Sequence, residues 1–352
     1  MSKQIYINGR FLLQEPTGVQ RYAYEMCLAL HRCGVDFILI CPQKGTIDKA
    51  YDISGFKIQR YGVCSSHVWE QLVLPFYFFG KKDYLLISFT GLGSIAVPNK
   101  IMTVHDLSFL VCRQWFSHAY YYYYKPMTWM AVRTSKHLIT VSEFSKSEIL
   151  RLYPFLSENK IHVIYNAADK EKFTPASDTV ASDVPYCLSV SSLDPRKNFA
   201  RLLEAFKDIE ECKLLIVGGA NKVFAQNQKL RNSKNIEFLG RVSDEDLIRL
   251  YQGAEAFVFP SLYEGFGLPV VEAMCVECPV IASDIPVLRE VCGKAAIYFN
   301  PYDTDDMRDK ICSYMTGRQR LRPIMVENGK ENASRFSWQS SAMKLVKLLN
   351  TI

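Results

Sequence analysis

The run Phe259-Pro-Ser-Leu-Tyr-Glu-Gly-Phe-Gly-Leu-Pro-Val-Val-Glu-Ala273 carries an apolar strand, 256–260, into a helix, 269–276, through a loop with two glycines. Pro269 sits where a first helical residue belongs, because a proline there forfeits no helical hydrogen bond. Gly265 and Gly267 let the backbone approach a ligand closely. The N–H groups around Phe266, Gly267 and Leu268, reinforced by the helix dipole, make a site for an anion such as phosphate. Glu264 before the loop and Glu272 about one turn inside the helix would repel a phosphate. They point instead to a neutral partner beside it, and sugar hydroxyls fit that description.

Outward from this run, strands and helices alternate along the whole chain. Strands are expected at 5–7, 37–41, 85–89, 101–105, 138–141 and 161–165, with helices at 18–33, 118–134 and 144–152. A second series has strands at 186–190, 214–217, 236–239, 256–260 and 280–282. Its helices are expected at 198–207, 244–253, 269–276, 286–291, 304–316 and 337–350. Such alternation predicts an α/β protein of two Rossmann-like, doubly wound domains with parallel sheets. The polar stretch 167–185 reads as the linker. Ligands of open parallel sheets bind at the carboxyl ends of strands, so the expected site is a central cleft that the two domains face.

Composition narrows the classes. The chain has 352 residues, of which 49% are hydrophobic and 22% charged, so it is a folded protein with sizeable cores. A net charge of +6 is too mild for a nucleic-acid binder. Residues 1–170 carry 19 Lys and Arg against 12 Asp and Glu, while residues 171–352 carry 23 against 24. The basic first half suits an anionic surface or acceptor, or it simply keeps the domain soluble. Eleven cysteines, odd in number and scattered, are not a disulfide framework and fit a reducing compartment. Cys275-Val-Glu-Cys278 has no second pair beside it and reads as packing rather than a zinc site. The N-terminus is not a signal peptide, since Lys3, Arg10 and Glu15 interrupt any apolar run. The 16-residue uncharged stretch Tyr84–Asn99, with two glycines and a proline, is too short for a membrane helix. A cytoplasmic protein is expected, at most peripheral on the inner face of the plasma membrane.

Two glutamates separated by seven residues around Gly-Phe-Gly-Leu-Pro resemble the signature of retaining, GT-B-fold glycosyltransferases of family four, the glycosyl transferases group 1. The resemblance extends over nearly the whole chain. It implies that Glu264 contacts the transferred sugar and Glu272 the nucleotide ribose, with the amides of 265–268 on phosphate and sugar oxygens. It also implies an acceptor-side domain, 1–170, and a nucleotide-sugar domain, 171–335. A final helix within 336–352 would return to the first domain.

Other segments fit the same resemblance. Leu193-Asp-Pro-Arg-Lys-Asn198 follows a strand, and Arg196 and Lys197 are implied to clamp the donor diphosphate as it departs. Alone, an Arg-Lys pair is an ordinary solvated turn. Many family members have a further arginine five residues before this one, where Ser191 stands here. Gly18, in Pro16-Thr-Gly-Val-Gln-Arg21, is implied to let its loop reach the diphosphate. His105, in Val104-His-Asp-Leu-Ser-Phe109, is implied to lie near the transferred sugar; without that context it reads equally as a capping histidine. Gly219 would let the donor pack on backbone, and Val242 would read the base through main-chain atoms. Arg10 and Arg21 receive no role. Ala167 and Glu277 stand where the family usually has glycine, and the second position is a helix end that favours positive φ.

The implied reaction is hexosyl transfer from a nucleotide-diphosphate sugar, GDP-mannose as the first candidate, to a saccharide or lipid-linked saccharide in surface polysaccharide (O-antigen) synthesis. No cofactor is expected. No Asp-x-Asp metal motif lies in the segments 193–198 and 259–273 assigned to the donor, and the cationic clamp takes a metal's place. The alternatives are a nucleotide-sugar epimerase or a phosphorylase on the same architecture, or a non-catalytic nucleotide-sugar-binding component of an assembly complex. The aromatic stretch Trp115–Tyr124, with Lys125 and Arg133 nearby, reads either as packing or as a dock on an anionic membrane.

Overall fold

Runs such as Phe37-Ile-Leu-Ile-Cys41 are apolar on both faces, as strands of a parallel sheet covered by helices must be. A computed structural model describes residues 3–169, 172–174, 184–190, 194–218 and 234–352. Among them every strand pairing is parallel. The chain divides into two units, Met1–Asn166 with Trp338–Ile352, and Ala167–Ser337.

The first unit holds β1 (Gln4–Asn8), β2 (Phe37–Cys41), β3 (Lys57–Arg60), β4 (Tyr84–Ser88), β5 (Lys100–Val104), β6 (His137–Thr140) and β7 (Ile161–Val163). They lie in the order β3-β2-β1-β4-β5-β6-β7, so the order reverses between β1 and β4. The helix Trp338–Leu349 packs on the helix Gly18–Arg32. There the Ser341 hydroxyl donates to the Tyr165 carbonyl at 2.7 Å, and the Trp338 ring stands edge-on to Tyr22.

The second unit holds β8 (Tyr186–Val190), β9 (Lys213–Val217), β10 (Ile236–Gly240), β11 (Ala256–Phe259), β12 (Val280–Ser283) and β13 (Ala296–Phe299). Their order is β10-β9-β8-β11-β12-β13, with the reversal between β8 and β11. Phe199, Leu202, Leu203 and Phe206 of one helix and Met307, Ile311, Tyr314 and Met315 of another close the core over this sheet.

Several elements differ from the sequence expectation, the unforeseen helical segment 66–78 among them. The last long helix of the second unit is Thr304–Ser334 and passes through Gly317 and Pro323 instead of stopping at 316. Its far half keeps a buried face of Met325, Gly329, Asn332 and Ala333, and Gly329 sits against Met274. Tertiary burial there outweighs two helix breakers. Strands β3 and β13 were not expected. Both are edge strands, and two of the four residues in Lys57-Ile-Gln-Arg60 are cations, which suits an edge and hides the apolar pattern. All eleven cysteines are free thiols.

The helix Leu268–Cys275 ends on Glu277 at φ 64°. The Cys278 N–H donates to the Ala273 carbonyl at 2.9 Å and the Glu277 N–H to that of Met274 at 3.3 Å, a left-handed helix cap of the kind glycine makes without strain. Glu277 also pairs with Lys330 on the exposed surface, a contact of small weight. Glu277→Gly is therefore expected to stabilise the protein by roughly 0.5–1 kcal/mol, measured by denaturant unfolding. A net loss of stability would contradict this account of the helix end.

Candidate functional site

The reversal between β8 and β11 leaves a gap at their carboxyl ends, and two loops meet across it. The first follows β8. Asp194 caps its tight turn by accepting from the Arg196 N–H at 3.0 Å, and its carbonyl accepts from the Lys197 N–H at 2.9 Å. Asn198 closes the turn in the left-handed region, at φ 59°, which asparagine tolerates better than most residues. Its side chain is buried. It donates to the Pro301 carbonyl at 2.7 Å and accepts from Arg201 at 2.9 Å. The turn that aims Arg196 and Lys197 is thus fixed at both ends.

The second loop follows β11, and Leu262 joins it to the first by donating its N–H to the Arg196 carbonyl at 2.8 Å. Across the same junction the Lys197 ammonium meets the Glu264 carboxylate at 2.5 Å, with both side chains about nine-tenths buried. The ammonium also lies 5.6 Å from the centre of the Phe259 ring, at the end of β11. Ser261, between these groups in sequence, is 1% exposed, and its hydroxyl has no hydrogen-bond partner among the described residues.

The loop then enters the helix Leu268–Cys275, one residue earlier than expected, with Gly267 as the N-cap and Pro269 in the first turn. Gly267 has φ 97°, and a Cβ there would sit 2.8 Å from Leu288, so the packing itself demands glycine. Phe266 is buried edge-on against Phe336, which leaves only its backbone for a ligand. Glu272 lies in this helix and is 7% exposed. On the other side of β8, the Gly218 N–H donates to the Gly240 carbonyl at 2.8 Å, and half-buried Val242 follows β10. Gly219 and Ser191 lie outside the described residues.

In the first unit, His105 follows β5. Its Nε2 lies 2.8 Å from the Phe89 carbonyl, which can only accept. Nε2 therefore carries the proton and Nδ1 holds the lone pair. Burial pushes the imidazole below its usual pKa, while the Phe89 carbonyl and the Asp106 carboxylate pull the other way. Its ring stands edge-on to Tyr22 at 4.9 Å. Asp106 caps the following turn, accepting from the Ser108 N–H at 2.9 Å and hydroxyl at 2.6 Å. Gly18 opens the helix Gly18–Arg32. A Cβ there would meet nothing within 4 Å among the described residues, so the local fold does not require glycine.

Two family models match the chain, Glycosyltransferase Family 4 over residues 16–172 and Glycosyl transferases group 1 over residues 170–332. The chain is 30% identical over 264 residues to the O-antigen chain mannosyltransferase B of Escherichia coli, a match covering 70% of this chain and 68% of that protein. It belongs to the glycosyl transferases group 1. It is also 35% identical over 218 residues to the O-antigen chain mannosyltransferase RfbU of Salmonella typhimurium, covering 60% of each chain. The fold matches the sucrose-phosphate synthase of Thermosynechococcus elongatus with a TM-score of 0.80 at 20% identity, over 100% of this chain and 99% of that one. The protein is thus a GT-B glycosyltransferase with mannosyltransferase relatives in O-antigen synthesis.

The structure of this glycosyltransferase brings Arg196, Lys197 and the segment Glu264–Leu268 together at one switch point. Sequence reasoning named both members of the Lys197–Glu264 pair but did not pair them with each other. It missed a second polar cluster at the reversal between β1 and β4. There Glu70, 0% exposed, accepts from Asn8 Nδ2 at 2.8 Å and faces the Arg10 guanidinium at 3.0 Å. Tyr124 holds His67 beside it through a 3.0 Å hydrogen bond. The available signal was a lone carboxylate inside the apolar run 68–79.

Removing one member of a buried ion pair strands the other. Glu264→Ala and Lys197→Met are each expected to cost about 3 kcal/mol of stability, and the double variant no more than either alone. Denaturant unfolding of the three variants tests this. Strictly additive losses would mean that the pair is not coupled.

Proposed function

We propose that this glycosyltransferase moves mannose from GDP-mannose to a saccharide acceptor, lipid-linked in the cell, with retention of anomeric configuration. The observation that carries the proposal is the fixed turn at the unit-two switch point, which seats the Lys197 ammonium on the buried Glu264 carboxylate near a helix N-terminus, with Arg196 the preceding residue of the same turn. In this reading Arg196 and Lys197 bind the donor diphosphate, together with the backbone amides of Gly265, Phe266, Gly267 and Leu268. An ammonium has three protons, so Lys197 can keep Glu264 while it takes a phosphate oxygen. Glu264 accepts from hydroxyls of the transferred sugar and Glu272 from those of the ribose. Gly219 and the main chain at Val242 receive the nucleoside.

The bond from the sugar anomeric carbon to the diphosphate oxygen then lengthens. Negative charge accumulates on the leaving group, where the two cations and the helix N-terminus stabilise it. No metal is called for, because the cations take the charge that a metal takes elsewhere. The acceptor oxygen attacks the face that the diphosphate leaves, and its proton passes to the departing phosphate oxygen. His105 and Gly18 are assigned to the same reaction, His105 to the transferred sugar and Gly18 to the diphosphate. The O-antigen relatives favour surface polysaccharide as the product, made at the inner face of the plasma membrane. The mannosyltransferase names of those relatives support mannose as the sugar.

Ligand-induced thermal stabilisation tests the donor. GDP-mannose at one hundred times its dissociation constant is expected to add about 2.7 kcal/mol, with UDP- and dTDP-sugars adding far less. Proton NMR of slow hydrolysis should show the α-anomer forming first; β first would contradict retention. Lys197→Ala and Glu264→Ala should each cut turnover by about two orders of magnitude. Gly18→Ala should keep the wild-type melting temperature but lose donor affinity. Unchanged affinity in that variant would remove Gly18 from the site.

A further inference from the structure

Residues 66–78 form one helical segment, made of Ser66–Val68, a wide turn at Trp69–Val73 and Leu74–Phe78. Its inward side is Trp69, Glu70, Leu74 and Phe78, all buried. Its outward side is Val68, Leu72 and Phe76, exposed by 53%, 62% and 73%, and it continues into Phe79 at 86%. Spacings of four, four and three place these side chains on one face.

The helix is apolar on both sides, unlike the usual surface helix, which turns charges to water and only its apolar groups inward. The one Asp, Glu, Lys or Arg between Val63 and Gly80 is Glu70, and it is the residue turned inward, onto Asn8 and Arg10. Lys81 and Lys82 follow at once, and Lys81 sits 3.4 Å above the Tyr77 ring. The first unit as a whole carries 20 Lys and Arg against 11 Asp and Glu, 20 − 11 = +9. No helix among the described residues is long and apolar enough to cross a membrane.

We propose that the face Val68–Leu72–Phe76–Phe79 inserts shallowly into an anionic lipid bilayer, with Lys81 and Lys82 against the lipid phosphates. A stripe of large apolar groups beside cations on a basic domain is complementary to such a surface. The acyl boundary takes the side chains and the headgroups take the charge. The contact therefore lies on a different helix from the aromatic stretch Trp115–Tyr124, where Phe116, Tyr120 and Tyr124 stack on one another and Phe109 packs against them. The proposal does not rest on the donor assigned above, because adsorption to vesicles needs no turnover.

The test is co-sedimentation of the full chain with vesicles of phosphatidylglycerol and phosphatidylethanolamine, and with vesicles of phosphatidylcholine alone. Binding is expected to the anionic vesicles and to weaken as salt rises. Leu72→Glu with Phe76→Glu, both at exposed positions, should lower vesicle affinity by about tenfold or more with an unchanged melting temperature. Lys82→Glu should lower it by a smaller factor. Equal vesicle binding by the double variant would overturn the proposal. So would a wild-type dimer in light scattering that fails to bind vesicles and that the double variant dissociates, since the stripe would then be a self-association face.

Discussion

The Arg196 carbonyl and the Lys197 ammonium hold the two switch-point loops of the second unit together. One accepts the Leu262 N–H and the other pairs with the Glu264 carboxylate. Without these two contacts the loop after β8 and the loop after β11 would be separate surface segments. With them, the Arg196 backbone, the Lys197 ammonium, a carboxylate and the start of the helix Leu268–Cys275 are fixed relative to one another. A parallel sheet supplies the condition for this. Where the strand order reverses, successive loops turn away from each other and leave a gap at the carboxyl ends of the strands. The gap is furnished with charge, and burial makes that charge costly unless it is paired. Lys197 and Glu264 satisfy each other while leaving ammonium protons and carboxylate lone pairs for a ligand.

The same topology recurs in the first unit with different chemistry. At the reversal between β1 and β4, buried Glu70 gathers Asn8 and Arg10, so that reversal too holds a compensated charge. That inward use of Glu70 leaves the 66–78 helix with no charge of its own to show to water. Burial biases His105 away from its charged form, with its Nε2–H committed to the Phe89 carbonyl. A group in that state offers a lone pair at Nδ1 rather than a positive charge.

Much of this was legible in the sequence where one residue meets one local requirement. The strand–loop–helix run ending at Ala273, the Asp-Pro-Arg-Lys-Asn turn and the left-handed position at Glu277 all follow from short-range rules. What was hidden depends on long-range packing. Gly317 and Pro323 argue for two helices, and only the contact of the far half with Met274 and Val291 makes one helix of them. Strand β3 has too few apolar residues to announce itself and forms because β2 offers it an edge. The glycine at 267 reads as room for a ligand, whereas φ 97° and Leu288 already require it; Gly18, which nothing among the described residues around it requires, is the stronger functional signal of the two. The pairing of Lys197 with Glu264 joins residues 67 positions apart, and no local pattern reports it.

The central claim is that the two stapled loops are one donor-diphosphate site. Amide hydrogen exchange with and without GDP tests it most directly. The account predicts that slowing of exchange appears together at Arg196–Asn198 and at Glu264–Leu268, and that Lys197→Met abolishes it in both segments. Protection of one loop without the other, or unchanged protection in the variant, would show that the loops do not act as a single site.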